Sequence, residues 1–395
     1  MIADLHCHFP MHLVKWEEEH VHPHERVEHW WDRVRHELGA EGFDLLARLA
    51  NHRAFGSGWR VSLDGLEAGG AGIVCSVLYW PFCEFQIGKR YGSPPDPAAF
   101  GCLTDQLSYV ERKLADADPD GKRHVVVRTG PDLDDSRMRF VHCVEGGLHL
   151  GPDPDVVDDQ VRRLAEAGVF YITLAHLFYR GVAAGAPAIP PLTDGEYNLI
   201  FRQPADGLPE LGRRAIEAMC EHKVVVDLSH MRRDVLTRAL SELDRYDKDR
   251  SIPVIASHVG AASAGPPGHA YNLTPDAMRA IRDRGGVIGL IAAQHLLGST
   301  RTPDDSRDLL RRHIDAIGVA VGSHWHTAIG TDLDGFIKPT LAGLERAEDL
   351  TTLEEWIRDL YPADADAILH DNAERVLRST FQLRGNPYGP VQPSR

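Results

Sequence analysis

The stretches KVVVDLSH (residues 223–230) and IPVIASH (residues 252–258) decide the fold. Each is a run of apolar, mostly β-branched residues that turns polar only at its end, and both close on Ser-His. A strand with one wet face alternates apolar and polar residues, whereas a strand apolar throughout is covered on both faces. Outward from these two, runs of the same kind recur: IADLHCHF (2–9), AGIVCSVLYW (71–80), RFVHCVEG (139–146), VFYITLAH (169–176), GGVIGLIAA (285–293) and HTAIGTDLDG (326–335). Between them lie amphipathic helical patterns such as DPDVVDDQVRRLAEAG, PELGRRAIEAMCEH, TPDAMRAIRDRGG and DDSRDLLRRHIDAIGV. Strands alternating with such helices make a parallel sheet, and eight units predict a closed α/β (β/α)8 TIM barrel. A ninth run, HVVVRTGP (124–131), is read as accessory. A doubly wound sheet gives the same alternation, and the lack of GxGxxG or GxxxxGK after a first strand weighs only mildly against it.

The chain of 395 residues, 43% hydrophobic, is long enough for one barrel-sized domain, drawn here as 1–383. Two connections exceed the usual length: 10–68 after the first strand, read as a helical insertion or lid, and the Gly/Pro-rich 177–208 after the fourth barrel strand. Residues 384–395 (RGNPYGPVQPSR, from Arg384) read as a flexible tail. A net charge of −15 argues against a nucleic-acid partner. No apolar run approaches membrane-spanning length and a strand-like segment begins at Met1, so the expected location is the cytoplasm, with no membrane partner. Cys7, Cys75, Cys83, Cys102, Cys143 and Cys220 form no CxxC pair and read as reduced and mostly buried.

Six of the eight barrel strands finish on His, Glu or Asp: HCH, VEGG, LAH, DLSH, ASH and GTDLDG. On a barrel all strand C-termini meet at one mouth, where active sites are built. The residues collected there are His6, His8, Glu145, His176, His230, His258 and Asp332, a donor set rich enough for two metal ions with a carboxylate between them. Strict alternation along the first strand puts His6 and His8 on one face, and Leu5 and Cys7 on the other.

The order HxH, EGG, LxH, VDLSH, PVIASH followed by NLTPDAMRAI, then GTDLDG, resembles the membrane (renal) dipeptidase family, peptidase family M19 of the amidohydrolase superfamily. The resemblance implies a TIM barrel carrying two zinc ions bridged by Glu145 and a hydroxide. His6 and His8 would hold one ion with Asp332 near it, and His230 and His258 the other. It also implies that His176 contacts substrate, that a dipeptide-like small molecule is cleaved at its amide by the metal-bound hydroxide, and that homodimers are among the expected states. Mechanistically, His176 is expected to donate to the developing oxyanion and Asp332 to shuttle the proton. Two positions depart from the family pattern. His8 stands where Asp is usual, and imidazole remains a sound zinc ligand. Tyr271-Asn272 stands where Arg-Asn is expected, so the substrate-binding pair Tyr271 and Asn272 lacks the cation that clasps a free carboxylate.

Other features read as structural. His12, His20, His22, His24, His29 and His36 suit a solvated helical lid better than a metal site. Of Trp30 and Trp31, at least one is read as packing. Cys7 and Cys143 read as core, Asp334 as a loop-fixing carboxylate, Asp227 as either a support for a neighbouring ligand or a strand-end cap, and Arg180 and Arg202 as solvated surface. The competing functions are another amidohydrolase reaction, such as lactam, lactone or carbamoyl hydrolysis or deamination, and a metal- or ligand-binding barrel without turnover.

Overall fold

The computed structural model describes residues 1–13, 60–84, 91–190 and 192–385. The expected lid histidines from His20 to His36, Trp30, Trp31 and the tail beyond residue 385 lie outside the described residues, as does the His12 side chain. Among the described residues, nine strands form one parallel sheet: β1 (Ile2–Cys7), β2 (Ala71–Leu78), β3 (His124–Val126), β4 (Met138–Glu145), β5 (Tyr171–Thr173), β6 (Val225–Asp227), β7 (Val254–Val259), β8 (Ile288–Leu290) and β9 (Thr327–Ile329). Their order is β2-β1-β9-β8-β7-β6-β5-β4-β3, and β2 also pairs with β4 in register from Ile73↔Arg139 to Leu78↔Val144. That extra pairing closes eight strands into a (β/α)8 barrel and leaves β3, the run read as accessory, beside β4 outside the ring.

Seven of the eight barrel strands, and Val287 just ahead of β8, contribute to one buried cluster that includes Leu5, Cys75, Val141, Tyr171, Val225, Ile255, Val287 and Ala328, which is the barrel interior. The C-terminal helix Asn372–Arg384 joins this cluster through Val376, Leu377 and Phe381 and so plugs one end of the cylinder. Its first residue is tied in place: the Asn372 amide donates to His324 O and Thr327 O, both at 2.8 Å, beneath β9. The remaining helices pack outside. Pro303–Val321 shows how sequence sets such a helix: Thr302 and Asp305 form a reciprocal cap, Pro303 opens the first turn, and Gly322 ends it at φ 86°. Its buried residues, Leu309, Leu310, His313, Ile314, Ile317 and Val321, recur at three- and four-residue spacing. Among the described residues, no helix is long and apolar enough to cross a membrane. All six cysteines are free and buried.

One local expectation fails. Leu5 faces the barrel interior with Ala3, while Cys7 packs in the outer core with Ile2, Phe9 and Val74. Strict alternation is broken because the register slips from Asp4↔Val74 to Cys7↔Ser76, one extra residue on β1. This bulge lets Leu5 and His6, adjacent in sequence, both contribute to the inside of the barrel.

Candidate metal centre

Each strand-end residue collected from the sequence arrives at the same mouth. Glu145 lies at the middle: its Oε1 is 3.3 Å from His6 Nε2, 3.3 Å from His230 Nε2 and 3.5 Å from His258 Nε2, and its Oε2 is 3.2 Å from His8 Nε2 and from His176 Nε2. Asp332 Oδ1 stands 3.3 Å from His8 Nε2 and 3.7 Å from His6 Nε2, and His230 Nε2 is 2.9 Å from His258 Nε2. Three overlapping groups therefore have metal-ligand geometry: His6, His8 and Glu145; His6, His258 and Asp332; Glu145, His176 and His230. His176 thus stands among the ligand atoms as well as beside them.

The donor set fits divalent cations on two independent counts. Ligand atoms about 2.0–2.1 Å from a tetrahedral ion lie about 3.3 Å apart, close to most of these separations. Moreover, His6 Nε2 and both Glu145 oxygens are buried without a hydrogen bond, although they approach one another closely. Buried polar atoms are otherwise almost always satisfied, and a cation at their meeting point satisfies them together.

The surrounding hydrogen bonds fix which ring nitrogen faces the centre. Tyr171 gives its one hydroxyl proton to Leu5 O at 2.9 Å, so at 2.7 Å it accepts from His6 Nδ1–H. Ser257 gives its proton to Asp227 Oδ2 at 2.6 Å and accepts from His258 Nδ1–H at 2.7 Å. Both histidines are left with a bare Nε2 lone pair aimed at Glu145, the tautomer that metal ligation requires. Asp227 is the hub of this layer, accepting also from Thr173 Oγ (2.6 Å), Ser229 N–H (3.0 Å), Ser229 Oγ (2.9 Å) and Ser257 N–H (2.9 Å). Of the two readings left open for it, support of a ligand is the one its contacts fit. Asp4 does the same across β1 and β9, accepting from His6 N–H, Thr331 N–H and Thr331 Oγ.

Local backbone is bent at two of the candidate ligands. His230 and Asp332 are non-glycine residues at φ 62° and 59°, a conformation costing about 1–3 kcal/mol and held only where surroundings over-determine it. The terminal glycine of GTDLDG has a matching role, because a Cβ on Gly335 would lie 1.8 Å from Asp332 Oδ1. Asp334, as expected, fixes the loop: its carboxylate accepts from Arg60 N–H and Val61 N–H.

The chain belongs to the membrane dipeptidase family. The family profile, membrane dipeptidase (peptidase family M19), matches residues 59–386, most of the chain. Membership makes the protein a metal-dependent hydrolase by class. Dipeptidase 3 of Rattus norvegicus is 25% identical over 340 residues, which cover 84% of this chain and 61% of that protein's length. A Klebsiella pneumoniae protein from the pqqA 5′ region is 27% identical over 257 residues, covering 63% of this chain and 84% of its own. In fold, the chain is similar to a metallopeptidase from Rhodobacter sphaeroides crystallised with a phosphinate mimic of the dipeptide L-Ala-D-Ala. That similarity has a TM-score of 0.68 at 20% identity and covers 96% of this chain and 99% of the other.

The electrostatics of this M19 centre follow from two carboxylates in a buried ring of imidazoles. Burial opposes charge on Glu145, yet His176 beside it, first among the lowering neighbours, holds its carboxyl well below the usual range. Burial also opposes charge on His176, but Glu145 and Glu84 push it up to about 10; against the same opposition, Asp332 and Glu145 push His8 up to about 9. His230 and His258 go down, chiefly through burial. The mouth is therefore a place that draws positive charge, protons or metal ions alike.

Two residues of the expected substrate-binding wall are engaged by the backbone. Tyr271 donates its hydroxyl to His258 O at 2.9 Å, with its ring 5.0 Å from that of His230. Asn272 accepts from Gly260 N–H at 3.0 Å and donates to Leu296 O at 2.6 Å, so both ends of its amide hold loops together. Arg202 is exposed, as expected, but Arg180 is not: it is 8% exposed and its guanidinium donates to the Glu84 backbone carbonyl. Sequence reading missed Glu84 altogether. It lies beyond the end of β2, in the four-residue helix Pro81–Glu84, and is fully buried against His176.

Proposed function

We propose that the protein is a zinc-dependent dipeptidase, cleaving the amide of a dipeptide or dipeptide-like small molecule. The observation that carries this reading is the convergence of five imidazole nitrogens and two carboxylates, with His6 Nε2 and both Glu145 oxygens lacking any hydrogen bond. His6, His8 and Asp332 would hold one ion, His230 and His258 the other, and Glu145 would lie between them. When bound, such a pair supplies a nucleophilic oxygen near neutral pH and polarises the scissile carbonyl.

The chain's own groups carry the rest. Tyr171 and Ser257 keep the His6 and His258 lone pairs turned inward. His176, whose pKa Glu145 and Glu84 push up to about 10 against burial, would present Nε2–H where charge develops on the carbonyl oxygen, a contact of a kind whose loss costs about 10²–10³ in rate. Asp332, 3.3 Å from His8 Nε2, would take a proton from the attacking water and return it to the leaving nitrogen. Tyr271 offers a neutral, backbone-bonded hydroxyl where the family pattern has a guanidinium, which favours substrates whose free carboxylate is not clasped at that position.

The test is metal analysis of the purified protein followed by amino-acid release from L,L- and L,D-dipeptides and their carboxamide-capped forms. The proposal expects bound metal and dipeptide hydrolysis, with capping slowing turnover by less than about tenfold, or about 1.4 kcal/mol. Hydrolysis of lactams, lactones or carbamoyl compounds in place of dipeptides would move the reading to another amidohydrolase reaction. Bound metal with no turnover of any of these would make the barrel a non-catalytic one.

A further inference from the structure

Glu84 is a buried carboxylate outside the ligand set, and its bonds point to one purpose. Oε2 accepts from His176 Nδ1–H at 2.6 Å and from Tyr79 O–H at 2.5 Å, and Oε1 accepts from Phe178 N–H at 2.7 Å. The Glu84 backbone carbonyl accepts from the Arg180 guanidinium. His176, Phe178 and Arg180 all belong to the connection that follows β5, so a single residue after β2 pins that connection by side chain and main chain together. A histidine ring held only by packing can rotate about its Cβ–Cγ bond and exchange the positions of its two edges. With Nδ1–H committed to Glu84, the ring has one orientation, and Nε2 is the atom 3.2 Å from Glu145 Oε2.

We infer that Glu84 is a positioning residue for the reaction: through Nδ1 it holds His176 so that Nε2 faces the centre and the carbonyl to be cleaved. The inference deepens the dipeptidase reading and rests on it for its kinetic consequence. Among the residues collected at the mouth, the one Glu84 bonds is His176. Glu84→Gln keeps a side-chain oxygen for Phe178 N–H and the backbone carbonyl for Arg180, so the bond it is expected to remove is the one to His176 Nδ1–H.

The experiment is a double-mutant cycle on the metal-loaded protein, with nuclear magnetic resonance of 15N-labelled histidine as a second readout. Glu84→Gln is expected to lower kcat about 10–100-fold while leaving KM within about threefold and metal content unchanged. In a His176→Ala background, the same substitution is expected to change kcat by less than about threefold, because the group it positions is gone. Tyr79→Phe removes a different donor from Glu84 and is expected to leave kcat within about threefold. In the spectra, the His176 Nδ1–H proton is protected from exchange in the parent protein and lost in Glu84→Gln. Equal losses of kcat in both backgrounds, unchanged kcat, or a persistent Nδ1–H signal would each overturn the inference. If Glu84→Gln does not fold, Glu84→Asp is used in the same cycle, since its shorter arm draws the carboxylate away from Nδ1. Absence of any dipeptide turnover in the parent protein would count against the dipeptidase reading, and the Nδ1–H signal would still decide the positioning.

Discussion

Two layers of one barrel interior differ sharply in chemistry. Toward the strand N-termini the interior is apolar, filled by Leu5, Cys75, Val141, Val225, Ile255 and Ala328 and plugged by the helix Asn372–Arg384. Within a few residues along the same strands, His6, Glu145, His230, His258 and Asp332 form a mouth crowded with buried ionisable groups. The lower layer contributes burial, at about 25 cal/mol per Å2 of apolar surface. The upper layer contributes little to folding without cations, since buried imidazoles and carboxylates cost desolvation that their mutual contacts only partly offset. The seam between them is polar and fully bonded: Tyr171, Thr173, Asp227 and Ser257 join floor to mouth. Stability and chemistry are thus separated along the barrel axis, and substitutions in the two layers should fail in different ways.

The strongest way to break this contrast is Glu145→Gln. It keeps the volume but removes the charge shared by five imidazoles, so hydrolysis should fall by at least about a thousand-fold with metal content reduced, while circular dichroism stays that of the parent. A folded variant with near-normal activity would show that the mouth is not the reacting centre. Leu5→Ala tests the other layer. Leu5 is fully buried, and its truncation should cost about 2–5 kcal/mol in denaturant unfolding with metal stoichiometry unchanged. Loss of metal without loss of stability would erase the distinction between layers.

The seam should give an intermediate phenotype. Asp227→Asn leaves the shape but cannot accept at both oxygens from Thr173, Ser229 and Ser257, so Ser257 no longer fixes the His258 tautomer. Metal affinity should drop about 10–100-fold, measured by competition with a chelator. Unaltered affinity would reduce Asp227 to a strand-end cap.

How far the sequence discloses these layers depends on where chemistry meets periodicity. The eight strands and the extra one at His124–Val126 are legible because runs such as KVVVDLSH have no wet face, and the His, Glu and Asp residues gathered at the mouth because each terminates such a run. The opposite orientations of Leu5 and Cys7 are not, because a one-residue bulge in β1 leaves no mark on composition. Buried Arg180 reads as surface because it sits in a Gly/Pro-rich connection, and only the folded chain reveals the Glu84 carbonyl that receives it. Glu84 itself follows a strand that ends on the apolar Leu78, so it breaks the pattern that found the other carboxylates.

The smallest expected effect separates the mouth from the outer shell. His313 lies in the helix Pro303–Val321, outside the barrel; Ala261 N–H donates to its Nδ1 at 3.0 Å, and its Nε2–H donates to Leu297 O. Burial lowers its pKa from 6.5 to about 4, against the bond to Leu297 O, which raises it. Between those values the unfolded chain binds a proton that the native chain does not, so stability is present above pH 6.5 and lost as pH falls toward 4. The slope should be about 1.4 kcal/mol per pH unit for this one group. Denaturant unfolding at pH 7 and pH 5 should show that loss in the parent protein and a smaller one in His313→Gln. Equal losses in the two proteins would assign the acid sensitivity to other buried histidines, such as His149 and His295, instead.

The account turns on metal at the mouth, and anomalous X-ray scattering from crystals of the metal-loaded protein tests it most directly. It predicts two peaks about 3.5–4 Å apart, one beside His6 and His8 and one beside His230 and His258, with Glu145 between them. A single peak elsewhere, or none within bonding distance of Glu145, would contradict it.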